Sequence, residues 1–181
     1  MVMRTSVDET HSPKYAHIER ERRWLVAPDR RPDLAGRLTV LIEDRYIRGS
    51  RMRLRRMTDI ATRIASLKLT KKCESPGPLA RPIVTTYLTE AEYAPLATLP
   101  ASPLVKRRCK LVGTAFSIDL FEGALAGLEL AEIECESEGE LLEVQSPDWA
   151  IKDVSGESRF NGDSLAALDA AGLANLLAVA D

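Results

Sequence analysis

Alternation between polar and apolar positions is the dominant pattern of this chain, and it predicts strands. Tyr15–Val26 reads YAHIERERRWLV, in which every second residue shares a face and both faces carry charge. A period of two is the side-chain period of a β-strand. The same alternation, with β-branched residues and flanking turn residues, predicts seven further strands. These are Tyr46–Met57, Arg63–Lys72, Pro82–Leu88, Val105–Val112, Ala115–Phe121, Leu128–Glu136 and, with the weakest pattern, Lys152–Phe160.

Helices are predicted in four segments. Asp33–Arg45 (DLAGRLTVLIEDR) has leucine and isoleucine at helical spacing, and Thr89–Leu99 opens on the capping box TEAE and ends before Pro100. Ser137–Gln145 and the small-residue segment Asp163–Ala180 are the other two. About eight strands with three or four helices around them predict an α+β domain built on an antiparallel sheet.

Length and composition favour a single domain. The chain has 181 residues, of which 45% are apolar, which suits one core. Residues 1–14 are polar and aperiodic and are predicted to be a flexible tail, whereas residues 15–181 form the domain. No apolar stretch is long enough for a signal sequence or a membrane span, so we expect a cytoplasmic protein with no membrane partner.

Several chemistries lack a basis in the sequence. The chain has only two histidines, which excludes a site built on several imidazoles, and its three cysteines are widely spaced without a C-x-x-C pair. The glycine-rich phosphate loop, the dinucleotide-binding motif and the hydrolase elbow are also missing. Because 25 Lys and Arg stand against 27 Asp and Glu, no nucleic-acid partner is expected.

The charges are sorted by sign from strand to strand. Two acidic pairs and several basic pairs or triplets share the period of two, so each set lies on one face of its strand. The acidic pairs are Glu19/Glu21 and Glu132/Glu134, and the basic sets are Arg51/Arg53/Arg55, Lys68/Lys72 and Lys106/Arg108. A sheet of about eight antiparallel strands can close into a barrel, and closure points one whole face inward.

If the charged face is the inward one, the barrel encloses acids on some walls and bases on others. Several bases in a confined space need an anion between them, and Arg and Lys suit a polyphosphate. The E-x-E pairs would then hold Mg²⁺ or Mn²⁺, which prefer carboxylate oxygens and bridge to phosphate. Taken one strand at a time, a charged face is more often solvated surface. It is the coincidence of several sorted strands that favours an interior site.

Three stretches of the sequence resemble a known family. Ile18–Val26 (IERERRWLV) resembles the E-x-E-x-K strand that opens the CYTH domain, also called the triphosphate tunnel metalloenzyme family. Ile118–Glu134 (IDLFEGALAGLELAEIE) resembles its I-D-x-F-x-G…G-L…A-E-x-E block. The basic pairs and Val154–Phe160 (VSGESRF) occur in the family's order, so the similarity covers Tyr15 to about Ala166.

The resemblance implies an eight-stranded antiparallel tunnel with flanking helices that binds a triphosphate and one or two divalent cations. Carried over residue by residue, the metal-binding and water-handling carboxylates are Glu19, Glu21, Glu132 and Glu134. Asp119, in the I-D-x-F block, is either a further metal ligand or a strand carboxylate paired to a neighbouring arginine. The predicted substrate-binding bases are Arg53, Arg55, Lys68, Lys72, Lys106 and Arg108. The predicted catalytic residues are Glu134, Glu132 and Arg23. We expect His17 near the tunnel mouth, and Trp24 and Trp149 as apolar cover outside the barrel.

Three positions depart from the family pattern. Arg23 stands where the family usually has Lys, and an arginine does not lose its proton near neutral pH, which argues against a general-base role. Ile83 and Thr85 occupy the register of a further acidic pair that the family often has. On the last strand Asp153 replaces the usual Glu.

The function that the sequence predicts is metal-dependent hydrolysis of a triphosphate, with inorganic triphosphate favoured because nothing in the chain indicates a base-stacking pocket. An adenylate cyclase on the same fold is the first alternative. A non-catalytic triphosphate-binding module is the second, motivated by Arg23, Ile83 and Thr85. The expected partner is the small-molecule substrate. A homodimer is compatible with a barrel of this size, although nothing in the sequence marks an interface.

Overall fold

Strands dominate the structure, with short helices between and after them. The computed structural model describes residues 14–34, 39–75, 77 and 79–179. Its strands are β1 (His17–Val26), β2 (Thr39–Ile47), β3 (Met52–Asp59), β4 (Ala65–Lys72), β5 (Ala80–Leu88), β6 (Ala101–Lys110), β7 (Ser117–Phe121), β8 (Glu129–Glu134) and β9 (Ala150–Asp153). Its helices are α1 (Glu90–Leu96), α2 (Glu138–Glu143), α3 (Gly162–Leu165) and α4 (Ala170–Ala178). Residues 1–13 of the predicted tail lie outside the described residues.

Eight of the strands close into a barrel. The ring runs β5-β4-β3-β2-β6-β7-β8-β1, and β1 returns to β5 through the antiparallel pairs from His17↔Ile83 to Arg20↔Ala80. β9 lies outside this ring and pairs with the C-terminal half of β1, with Trp24 opposite Asp153. The predicted eight-stranded antiparallel barrel is therefore confirmed.

The helix predicted over Asp33–Arg45 is wrong where the structure describes it. Residues 35–38 lie outside the described residues, and Thr39–Ile47 is β2, the ring strand between β3 and β6. Val40, Ile42, Asp44 and Tyr46 also alternate at a period of two, which the helical spacing of the leucines hid. Pairing with two neighbouring strands outweighs a weak local helix preference.

The hairpin after β2 and the C-terminal region correct three further boundaries. The strand predicted from Tyr46 begins at Met52, since residues 48–51 form a turn in which Gly49 has a φ of 71°. The last predicted strand ends at Asp153, and Ser158–Phe160 is a 3₁₀ turn. The helix predicted over Asp163–Ala180 is two helices, because Asp169 interrupts it and caps α4 by accepting from the Gly172 amide at 2.8 Å.

Two apolar clusters hold the barrel. The larger one fills the barrel end where β1, β6, β7 and β8 carry leucine and phenylalanine inward, and α3 and α4 pack against it. Its barrel residues include Leu25, Leu104, Phe121 and Leu130. The second lies outside the barrel and contains Trp24, whose ring meets Phe116, which in turn meets Trp149. The two tryptophans are thus outer cover, as predicted. Among the described residues no helix is both long and apolar enough to cross a membrane.

Candidate functional site

The barrel encloses a cavity of about 810 Å³ that collects almost all of the predicted site residues. Eleven of the twelve line it, and only Asp119 lies behind the lining. The eleven are Glu19, Glu21, Arg23, Arg53, Arg55, Lys68, Lys72, Lys106, Arg108, Glu132 and Glu134. Alternate positions of every ring strand point inward, and this brings together residues that are far apart in the chain.

Strand register sets which of these side chains are neighbours. On one wall Arg55 lies opposite Lys68, and Arg53 lies opposite Thr70. On the other wall Arg108 lies opposite Asp119. Cross-strand partners share a face and lie close enough to interact, so each base has a fixed neighbour.

Each basic wall has a buried aspartate beneath it. Asp44 accepts from Nε and Nη2 of Arg55, both at 2.6 Å, and lies 3.8 Å from Nε of Arg53. Burial alone would raise the pKa of Asp44, but the guanidinium of Arg55, with Arg53 next to it, holds that pKa below its ordinary value. The carboxylate is fully buried and ionised, and it fixes the direction of two cavity bases.

Asp119 has the same place on the opposite wall. Its side chain is fully buried, accepts from Nε and Nη2 of Arg108 at 2.7 Å, and also binds Nζ of Lys106. The metal-ligand role predicted for Asp119 stays a prediction. In the structure this carboxylate is held by two bases.

Glu132 lies among three bases. Arg108 binds its carboxylate directly, and Nζ of Lys106 and Nε of Arg23 each lie 3.6 Å from Oε1. Burial alone would raise the pKa of Glu132, but Arg108, Lys106 and Arg23 hold it well below its ordinary value. The carboxylate is therefore ionised and surrounded by positive charge.

Arg23 connects this cluster to the C-terminal segment. Its guanidinium binds Glu21 and donates from Nη1 to the carbonyl of Phe160 at 3.2 Å and to Oδ1 of Asn161 at 3.1 Å. Its Nε is buried and has no hydrogen-bond partner among the described residues. Burial would lower the pKa of Arg23, but Glu21 and Glu132 raise it above the ordinary arginine value, so the group stays charged.

Two carboxylates face each other nearer the mouth of the cavity. Glu21 on β1 is directly opposite Glu134 on β8. The side chain of Glu134 is 64% exposed and lies 3.6 Å from Nε2 of His17, which is itself 69% exposed. The expectation that His17 lies near the mouth is confirmed.

The acids of the cavity suit a hard divalent cation. Like charges directly opposite each other on a sheet repel, and a cation between them removes the repulsion. Among the described residues no three side chains of His, Cys, Asp and Glu come together as a preformed metal site. Mg²⁺, however, is commonly held by one or two carboxylates and completed by substrate phosphates and water. Glu21 and Glu134 supply two such carboxylates, of which Glu21 is also in contact with Arg23.

The departures from the family pattern lie in two different places. Ile83 and Thr85 do line the cavity, and Thr85 hydrogen-bonds Thr70 at 2.9 Å, so this wall is neutral. Asp153 instead pairs with Arg22, which lies on the face of β1 that points away from the cavity. The guanidinium of Arg22 also donates to the carbonyl of Val144 at 2.7 Å.

Sequence reasoning missed three residues of the site. Asp44 lies in the segment predicted as a helix, and Tyr46 was taken as the first residue of the next strand, although their period-two spacing was a signal for one strand that contains both. Lys110 lines the cavity and continues the register of Lys106 and Arg108, a signal that was also present in the sequence. Burial, and then the charge of Asp44, raises the pKa of Tyr46 to about 12, so its hydroxyl stays protonated.

The balance of charge in the described part of the cavity is positive. Eight bases line it, against four glutamates, and the two buried aspartates bring the carboxylates to six. Two positive charges remain in excess. An elongated polyanion would bind along the facing basic walls better than a single compact anion, because the bases are spread over β1, β3, β4 and β6.

Comparison with known proteins found similar chains among solved structures. No protein-family model and no curated protein matches the chain. A solved structure of the inorganic triphosphatase NE1496 is 25% identical, with a TM-score of 0.53 over 82% of this chain and 93% of that one. A second structure, described as hypothetical protein NE1496, gives 25% identity and a TM-score of 0.54 over 83% and 99%. The PH1819 protein from Pyrococcus horikoshii OT3 is 19% identical, with a TM-score of 0.49 over 69% and 82%.

The opening E-x-E strand, the I-D-x-F block and the basic pairs all contribute side chains to the inward face of the barrel. They follow one another along the chain in the same order as in the CYTH family. Together with the likeness to NE1496, these features confirm the resemblance of the chain to the CYTH family.

Proposed function

We propose that the protein is a divalent-metal-dependent hydrolase of a triphosphate, with inorganic triphosphate as the favoured substrate. The observation that carries the proposal is the closed cavity, in which basic side chains from separate strands face one another around carboxylates. The name of NE1496, an inorganic triphosphatase at 25% identity, supports the same activity.

The chain's own bases would bind and orient the substrate. Asp44 already orients Arg55, and Asp119 already orients Arg108. These arginines therefore lose little further conformational entropy when a phosphate binds to them. A guanidinium matches two phosphate oxygens at once, which fixes the orientation as well as the charge. Bases on opposite walls would therefore hold an extended triphosphate in one register.

The metal would be held by the carboxylates nearest the mouth, Glu21 and Glu134, with Glu19 adjacent on β1. When bound, Mg²⁺ or Mn²⁺ supplies Lewis-acid polarisation of a phosphoryl oxygen. Glu19 and Glu21 are partly engaged already, since Oε2 of Glu19 accepts from Nζ of Lys72 at 3.0 Å and Glu21 accepts from Arg23. Glu134 is the most exposed of these acids, and its access to water supports assigning it the orientation of an attacking water.

The test is a phosphate-release panel over inorganic triphosphate, thiamine triphosphate and ATP, each with Mg²⁺, Mn²⁺ and Co²⁺. We expect metal-dependent release, fastest from inorganic triphosphate. Arg55→Gln removes an inward base of β3 and should abolish most of the activity. Arg56→Gln is the matched control, because Arg56 is the next residue of the same strand and pairs with Glu90 outside the cavity. Equal activities of the two variants would contradict the assigned site.

The same panel tests the alternatives. A chain that converts ATP to cyclic AMP and pyrophosphate is an adenylate cyclase rather than a hydrolase. A non-catalytic binding module is favoured by one observation, the neutral wall at Ile83 and Thr85. Tight triphosphate binding in calorimetry, without turnover under any of the three metals, would establish that module and refute the hydrolase.

A further inference from the structure

A second cavity lies beside the tunnel cavity. It has a volume of about 430 Å³ and is lined by residues of the β2–β3 turn, the end of β4, the beginning of β5 and α3. We call it the second chamber. Tyr46, Arg53, Lys72 and Gly162 line both cavities, so the tunnel and the second chamber share one wall.

The second chamber is positively charged on its inner side. Four bases line it, against two acids: Arg51, Arg53, Lys72 and Arg81 against Glu74 and Asp163. Both acids lie at the solvent edge, since the side chain of Glu74 is 70% exposed and Asp163 is exposed as well. Arg53 and Lys72 are only 11% and 21% exposed. Because water and salt screen exposed charges most, the bases dominate the interior of the chamber.

Arg81 belongs to this chamber alone. It lies on β5 opposite Glu19 of β1, in register with Ile83, and it lines the second chamber but not the tunnel cavity. Its side chain is half-buried, and among the described residues none forms an ion pair or a side-chain hydrogen bond with it. A guanidinium in this position presents its fork of donors to an anion, and phosphate oxygens match that fork.

The other bases of the chamber can contribute without leaving the tunnel. Arg51 pairs with Glu74 at 2.7 Å, and an ion pair so exposed contributes little and opens readily. Lys72 has three donors and Arg53 has five, and Nζ of Lys72 donates to Glu19 at 3.0 Å. Since both side chains lie in the shared wall, each has donors for an anion on either side. A ligand in the second chamber therefore does not have to displace a triphosphate from the tunnel.

We propose that the second chamber is an anion site separate from the tunnel, which binds one orthophosphate through Arg81 and Arg51, with Arg53 and Lys72 behind them. Its volume, about half that of the tunnel cavity, suits a compact anion rather than an extended one. The link to catalysis rests on the proposed function, because hydrolysis of a triphosphate releases orthophosphate, which fills this site as product accumulates.

The test is a calorimetric titration of orthophosphate into the chain preloaded with inorganic triphosphate, with EDTA present to prevent turnover. The wild-type chain should bind one orthophosphate. Arg81→Gln should weaken that binding about tenfold or more, because it removes a hydrogen bond between charged groups, and Arg81→Lys should recover part of the affinity. Arg48→Gln is the matched control, since Arg48 is an exposed arginine of the β2–β3 turn that lines neither cavity, and it should bind orthophosphate like the wild type. Triphosphate affinity should be unchanged in all three variants.

Failure of the preloaded wild-type chain to bind orthophosphate would overturn the inference. Equal orthophosphate affinities of Arg81→Gln and Arg48→Gln would overturn it as well. If circular dichroism shows that Arg81→Gln does not fold, the wild-type titration and Arg81→Lys decide the matter. A chain that neither binds nor hydrolyses triphosphate would refute the proposed function instead, and the titration of orthophosphate into the empty chain and its variants would still test the second chamber.

Discussion

Replacing Asp44 by asparagine isolates the contribution of one buried charge beneath the basic wall. The change keeps the size of the side chain and removes its charge. Arg55 then loses both of its 2.6 Å hydrogen bonds to a carboxylate, and Arg53 loses its nearest counter-charge at 3.8 Å. Two guanidiniums, each 11% exposed, would be left without the carboxylate that they share.

The size of the effect follows from that burial. Removing one partner of a buried ion pair destabilises a protein by about 3 to 5 kcal/mol. We take the lower end, about 3 kcal/mol, because both arginines retain some contact with water. For a chain of this length about 1 kcal/mol shifts Tm by 2 to 4 °C, so the expected decrease in Tm is about 6 to 12 °C.

Differential scanning calorimetry in the absence and presence of inorganic triphosphate, with EDTA to prevent turnover, measures the effect. The triphosphate should restore more stability to Asp44→Asn than to the wild type, because its phosphates replace the missing anion. Glu90→Gln is the control, since it removes the carboxylate of a two-bond pair with Arg56 that is exposed, and it should cost at most about 1 kcal/mol. Equal losses in the two variants, or no extra rescue by triphosphate, would refute the reasoning.

Three further predictions test other parts of the site. Glu134→Gln should lower phosphate release about a hundredfold or more without changing Tm, the usual effect of losing a positioned general base, and full activity would reject the role. Because the pKa of Glu132 is held well below its ordinary value, its contribution to stability is present at neutral pH and lost as the pH falls below about 4. The free energy of unfolding should therefore fall less steeply with acid in Glu132→Gln, and identical slopes would contradict this. In Gly162→Ala the new Cβ would clash with Oη of Tyr46, which should cost about 1 to 3 kcal/mol. Adding Tyr46→Phe should recover part of that loss, and absence of any recovery would contradict the contact.

The site was more predictable from the sequence than the elements that carry it. Period-two spacing placed Glu19 and Glu21 on one face of their strand, and Arg53 and Arg55 on one face of theirs. This holds for any arrangement of the neighbouring strands. Asp44 was missed because the spacing of the leucines in its segment fits a helix as well as its alternation fits a strand. That segment is a strand because it pairs with β3 and β6. The residues of those strands lie outside the short stretch of sequence from which a helix or a strand is predicted.

The sequence by itself determined which side chains share a face, the sign of each charged row, and a family resemblance strong enough to predict a tunnel. The tertiary structure decided which rows meet. The ring of strands places Arg23 beside Glu132, buries Asp44 and Asp119 beneath the bases, and leaves Glu134 at the mouth. These differences arise from closure and strand register, which depend on contacts between residues distant in the chain and therefore have no counterpart in local periodicity.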